Sequence, residues 1–134
     1  MPKKKVDNFL FEKESYEIRG AFFNVYNALG GGIKEKIIEN ALKKEFKDKD
    51  LEISSQKRID LYYKKEKIGV YIPDLIINDK IIIEIKSKPF ITTEDKKQFW
   101  GYLKNSTYEL GFLVNFSPKR LEIKRFADIK LNKN

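Results

Sequence analysis

The chain has 134 residues and carries 28 Lys and Arg against 20 Asp and Glu, a formal net charge of +8. With 41% hydrophobic residues it can bury a core, so it is not a disordered basic tail. The absence of Cys and His excludes disulfides, thiolate nucleophiles, the Ser-His-Asp triad and nearly every zinc site. Any catalysis must use carboxylates, Lys, hydroxyls or an oxygen-bound metal, and the basic balance favours an anionic partner, with nucleic acid in the lead.

The start, Met1-Pro2-Lys3-Lys4-Lys5, leads into no long apolar run and does not read as a signal peptide. No segment approaches the ~20 apolar residues that cross a bilayer. A cytoplasmic location with no membrane partner is expected. The organisation expected is a basic tail over 1–14, one domain over 15–128, and a solvated tail over 129–134.

Helical spacing of Ile18, Phe22, Val25, Tyr26 and Leu29 predicts a helix over 16–29. The run Gly30-Gly31-Gly32 follows and reads as a hinge. It is no phosphate loop, because no strand enters it and no Lys-Ser/Thr follows. A second helix is predicted over 33–47, with Ile33, Ile37, Ile38, Ala41, Leu42 and Phe46 on one stripe.

Strands are predicted over 51–63, over 67–77 with an interruption at Pro73, and over 80–87. Ile81, Ile82 and Ile83 suggest that the last is buried on both faces. Thr92 or Thr93 caps a helix running to Asn105. Two strands, over 109–116 and 120–127, complete the order ααβββαββ. This is a mixed sheet with helices on its faces, α/β in type.

Chemistry gathers around Pro73-Asp74 and Glu84-Ile85-Lys86. Glu84 and Lys86 are two apart on one strand and share a face. Charges among Ile residues are costly to bury unless they are paired or metal-bound. Asp74 joins Glu84 on that face only if the connecting loop has an odd number of residues or the ladder contains a bulge. A three-residue loop, Asn78-Asp79-Lys80, would pair Ile77 with Ile81 and set Asp74 opposite Glu84. Alternation alone does not choose Asp74 over Asp79.

Glu35 falls near the line of Leu42 and is expected beside the apolar stripe, at the sheet end of its helix. The plainer reading is favourable placement at a helix N-terminus. Three carboxylates and Lys86 at one place form an oxygen-ligand site that suits magnesium, and the chemistry of phosphodiester hydrolysis. Gln98 and Tyr102 are four apart on one helix face. They read either as site residues or as a polar edge and a core aromatic. Phe99, Trp100, Tyr102 and Tyr108 could stack on bases but are of the type more often found in cores. Arg58 is a candidate phosphate contact, Lys64 to Lys67 reads as a solvated turn able to track a backbone, and Lys119-Arg120 and Lys124-Arg125 as a basic rim.

Pro73-Asp74, nine intervening residues, and Glu84-Ile85-Lys86 resemble the signature of the PD-(D/E)xK nuclease superfamily. The element order resembles its core. Gly32-Ile33-Lys34-Glu35 further resembles the start of the motif of the GxxExxY proteins, with Ile38 where their Tyr would stand. Gln98 to Tyr102 resembles the QxxxY element of RecB-like nucleases. The resemblance implies a restriction-endonuclease-like fold and a Mg2+- or Mn2+-dependent nuclease acting on DNA. It implies that Asp74, Glu84 and the Ile85 carbonyl hold the metal, that Glu35 assists, and that Lys86 acts on water. Gln98 would help to position the site and Tyr102 the substrate. The alternatives are a nucleic-acid-binding module that has lost activity and an assembly subunit on the same fold. A homodimer would suit cutting two strands.

Overall fold

The computed structural model describes residues 10–130. The expectations for residues 1–9 and 131–134 lie outside the described residues. Helix α1 (Glu12–Leu29) leads through the Gly run to α2 (Glu35–Asp48). Strands β1 (Ile53–Ser55), β2 (Ile59–Tyr63), β3 (Glu66–Tyr71), β4 (Leu75–Ile77) and β5 (Ile81–Lys86) follow. Helix α3 (Thr93–Asn105) then leads to β6 (Leu110–Phe116) and β7 (Leu121–Ala127).

The architecture is the α/β one expected, but the three strands predicted before α3 are five. The predicted 51–63 strand ends at Gln56, whose φ of 58° is left-handed and breaks an extended run. Its halves then join different sheets. β1 enters a five-stranded sheet of order β1-β4-β5-β6-β7, whereas β2 pairs only with β3. The predicted 67–77 strand splits at Ile72-Pro73, where proline has no N–H for a ladder.

The large sheet is antiparallel except between β5 and β6, which run parallel because α3 carries the crossover. Alternation sorts its side chains. Ile81, Ile83 and Ile85 join Leu110, Phe112, Val114 and Phe116 against α1 and α2. Phe22 sits edge-on to both Phe46 and Phe112 in that core, an arrangement aromatic rings favour. Ile76, Ile82 and Leu113 point the other way, toward Phe99 and Leu103 of α3 and Ile59 and Tyr71 of the β2–β3 hairpin. Ile81 to Ile83 are fully buried, as a strand covered on both faces requires.

Thr92 caps α3 through a reciprocal capping box with Asp95. The Gly run is not a hinge. A Cβ on Gly31 would lie 1.9 Å from the Ser117 carbonyl oxygen, and Gly32 N–H donates to the Phe116 carbonyl at 2.9 Å. The loop is docked against the β6–β7 turn and fixes where α2 begins. Lys130, the last described residue, is anchored by its side chain. Its ammonium donates to the Leu103 carbonyl at 3.2 Å and reaches the Asp128 carboxylate at 3.0 Å.

Candidate active site

The hairpin loop decides which residues meet. Ile77 pairs with Ile81, Ile76 with Ile82 and Leu75 with Ile83, so the loop is Asn78-Asp79-Lys80. Asn78 and Asp79 both have positive φ, which Asn and Asp tolerate better than most residues. One step further along this register, Asp74 stands opposite Glu84. Both occupy the face of Ile76 and Ile82, toward α3 and the hairpin.

Asp74 Oδ2 accepts the Ile85 N–H at 2.7 Å. Burial nevertheless pushes the Asp74 carboxyl above its ordinary range, because this bond only partly offsets desolvation and the charges of Glu39 and Glu35 add to it. Glu84 is pushed up to about 7, first by burial and then by the negative charge of Asp74. Lys86, two residues on, holds both down. Two partly buried carboxylates that oppose each other's ionisation need a positive partner when both are charged.

Asp79 sits in the turn at the other end of β5. It binds Lys57 at 2.9 Å and the Tyr108 hydroxyl at 2.7 Å. The structure thus separates the two aspartates that alternation left open, and it makes Tyr108 a partner of Asp79.

Glu35 is the first residue of α2, in line with Ile38 and Leu42 as expected, but it is exposed because it stands at the N-terminal end of the helix. The stripe is Ile38, Leu42 and Phe46, and Ile37, expected on it, is 50% exposed. A residue one step from Ile38 is turned about 100° around the axis. The carboxylate that the stripe does bury is Glu39, held by Lys43 at 3.2 Å and Lys36 at 3.4 Å. Glu35 still acts on Asp74 and Glu84 through its charge.

A pocket beside these carboxylates is lined by Tyr71, Glu84, Lys86, Asp95, Gln98 and Tyr102, among others. The Tyr71 ring stacks on Tyr102 with centroids 4.1 Å apart, and its hydroxyl donates to Glu84 Oε1 at 2.6 Å. Burial, then the Glu84 charge, keeps that hydroxyl protonated far above its ordinary range, so it acts as a donor. Asp95 also rims the pocket. Burial alone would raise it, but hydrogen bonds from Lys88 and Thr92 outweigh this and hold it at about 2.

The loop after Lys86 is pinned from below. The buried Asn115 accepts the Lys88 N–H at 3.0 Å, donates to the Lys88 carbonyl at 2.9 Å and donates to Glu122 at 2.8 Å. Ser117 Oγ donates to the Pro89 carbonyl.

A family model described as the PD-(D/E)XK nuclease superfamily matches residues 12–126. The chain belongs to this superfamily. Among solved structures, this superfamily member is similar to the crystal structure of SSO0001. The identity there is 21% and the TM-score 0.48, over 71% of this chain and 50% of that one. It is also similar to an alkaline exonuclease from Laribacter hongkongensis, at 12% identity and TM-score 0.44, over 70% of this chain and 56% of that one. The chain thus spans about half the length of the solved structures it matches. No curated protein matches it.

Of the residues expected at the site of this nuclease-superfamily chain, the fold gathers Asp74, Glu84, Ile85, Lys86, Gln98 and Tyr102. Arg58 is exposed just before Ile59, the strand partner of Tyr71, and does not line the pocket. Phe99 is core and Trp100 stacks on Phe126. Tyr71 and Glu39 escaped the sequence reading. A carboxylate between Ile38 and Leu42 on an apolar stripe was a visible signal for Glu39. Tyr71 had none of its own.

Among the described residues, no three Asp or Glu side chains stand close enough to cage an ion alone. The donor set fits a divalent cation held by one or two carboxylates that share it with waters and substrate phosphate oxygens. No helix in the described residues is long and apolar enough to cross a membrane.

Proposed function

We propose that the chain is a Mg2+- or Mn2+-dependent nuclease that hydrolyses phosphodiester bonds of nucleic acid, with DNA the first substrate to test. The observation that carries this reading is the Asp74–Glu84 pair, opposed across β4 and β5 with Lys86 on the same face. Asp74, Glu84 and the Ile85 carbonyl would hold the ion, with Glu35 assisting through its charge. When bound, the metal would lower the pKa of water and polarise the phosphoryl oxygens.

The chain's own residues do the rest. Tyr71 orients the Glu84 carboxylate through its hydroxyl. The Ile85 N–H fixes one oxygen of Asp74 and leaves the other for the ion. Lys86 presents an ammonium to the attacking water and to charge developing on the phosphate. Gln98 and Tyr102 line the wall against which substrate lies. The net charge of +8 draws a polyanion toward the protein as a whole.

The test is cleavage of single-stranded, duplex and branched DNA and of RNA, with magnesium and with manganese. Metal-dependent cleavage that disappears in Lys86→Ala, with the fold retained, is the expected result. Equal cleavage by Lys86→Ala, or cleavage insensitive to chelator, would overturn the reading.

A further inference from the structure

The two elements that wall the active site also wall a second cleft. The β2–β3 hairpin carries Tyr71 at its base and Lys64-Lys65 at its tip. Helix α3 carries Gln98 and Tyr102 at the site and Lys104-Asn105 at its C-terminal end. Tyr62, Lys64 and Lys65 face Lys104, Asn105 and Lys130 across a cleft of about 460 Å³. Four lysines line it and, among the described residues, no carboxylate does. From Tyr71 to the tip, β3 spans about 20 Å of extended chain, several nucleotides of reach.

The turn itself makes an unusual choice. Lys64 and Lys65 have φ of 49° and 70°. Two consecutive left-handed residues in a tight hairpin favour Asn-Gly, and any other side chain is held there at a conformational penalty. Two lysines occupy those positions instead. Nor is their charge consumed. Lys64 lies over the Tyr63 ring at 5.4 Å, and neither Lys65 nor Lys104 has an ion-pair partner among the described residues. Asp60, the nearest acid on β2, is already paired with Lys67 at 3.3 Å. At the far wall Lys130 donates to the Leu103 carbonyl, which quenches the negative end of the α3 dipole.

We propose that this cleft is a phosphate track, holding the backbone of the nucleic-acid strand that continues out of the active site. The proposal rests on the phosphodiesterase reading of the Asp74–Glu84 site. Its ligand is the repeated phosphodiester, recognised by charge and not by base.

The experiment uses the full chain with chelator present and a fluorescein-labelled DNA strand of about 15 nucleotides. Lys64→Asn/Lys65→Gly suits the backbone of the turn and removes both charges. It should melt higher than the wild type and bind at least fivefold more weakly. Adding Lys104→Ala should bring the loss to tenfold or more. The slope of log affinity against log salt should then fall by about 2, at roughly 0.7 per lost phosphate contact. Lys64→Arg/Lys65→Arg should bind like the wild type. Metal-dependent turnover of a small phosphodiester, bis(4-nitrophenyl) phosphate, should be unchanged in all three.

Affinity and salt slope equal to the wild type in the triple variant would overturn the track and leave the active-site reading standing. Loss of binding in the arginine variant as well would overturn it too, since charge would not be what matters. A wild type that neither binds the strand nor turns over the small diester would overturn both.

Discussion

The Tyr71 hydroxyl donates to Glu84 Oε1 at 2.6 Å across the gap between the hairpin and β5. This bond joins the small sheet to the large one at the site, and it helps to hold Glu84 down against burial. Tyr71→Phe keeps the ring stacked on Tyr102 and removes only the donor. Glu84 should then titrate above about 7, and manganese affinity at neutral pH should fall about three- to tenfold, for a net hydrogen-bond loss of about 1 kcal/mol. Calorimetric titration of Mn2+ into both proteins reads the difference; equal affinities would show that the bond does not orient Glu84.

The metal-free protein should lose stability as pH rises from about 4 to about 7. Glu84 and Asp74 both titrate above their ordinary range when folded. In that window the folded chain binds more protons than the unfolded chain, so stability falls with pH. Glu84→Gln should abolish most of this slope and raise the melting temperature at pH 8, for a gain in stability on the order of 2 kcal/mol. Magnesium should flatten the wild-type slope, because an ion favours the charged pair. Thermal melts across pH, with and without magnesium, check both statements.

Asn115→Ala removes the two bonds to Lys88 and the one to Glu122 and leaves a buried void. Buried polar groups left without partners are expensive, so a loss of about 2–4 kcal/mol is expected. Denaturant unfolding measures it. Hydrogen exchange at Lys88 should accelerate more than at Ile82, which β4 and β6 hold independently.

Gly30 and Gly31 should differ although they are neighbours. Gly30 has φ of 77° and ψ of −165°, a backbone region essentially confined to glycine, with open space around its Cβ position, so Gly30→Ala costs backbone strain alone, about 1–3 kcal/mol. Gly31→Ala drives a methyl into the Ser117 carbonyl and must lift the loop. It should cost about 2 kcal/mol or more, and displace the start of α2 with Glu35. Hydrogen exchange at Ile37 and Ile38, in the first turn of α2, should accelerate in Gly31→Ala and not in Gly30→Ala, which tests whether the Gly run is docked.

Much of this was legible in the residues. The odd loop needed to set Asp74 opposite Glu84 followed from strand alternation, and Ile77 does pair with Ile81. The capping Thr, the Pro73 interruption and the doubly buried Ile run were local signals and were met locally. What was not legible depended on tertiary contact. Gln56 breaks its strand by a left-handed backbone that no composition rule marks. Ile37 was misplaced by a small error in the phase of one helix, and Glu35, though in phase, is exposed by its place at the helix end. Tyr71 gained its partner from a strand outside its own sheet.

The three-residue loop between β4 and β5 works as a parity setting. Side chains on β5 alternate between two environments, so shifting their pairing by one position exchanges them all. Removing one residue from Asn78-Asp79-Lys80 would turn Glu84 and Lys86 away from Asp74 or drag Asp74 into the greasy layer under α1 and α2. Removing or adding two would preserve the partnership. Viable length changes in this turn should therefore come in even steps, and a library of loop insertions would sort into active and inactive clones by whether the count is odd.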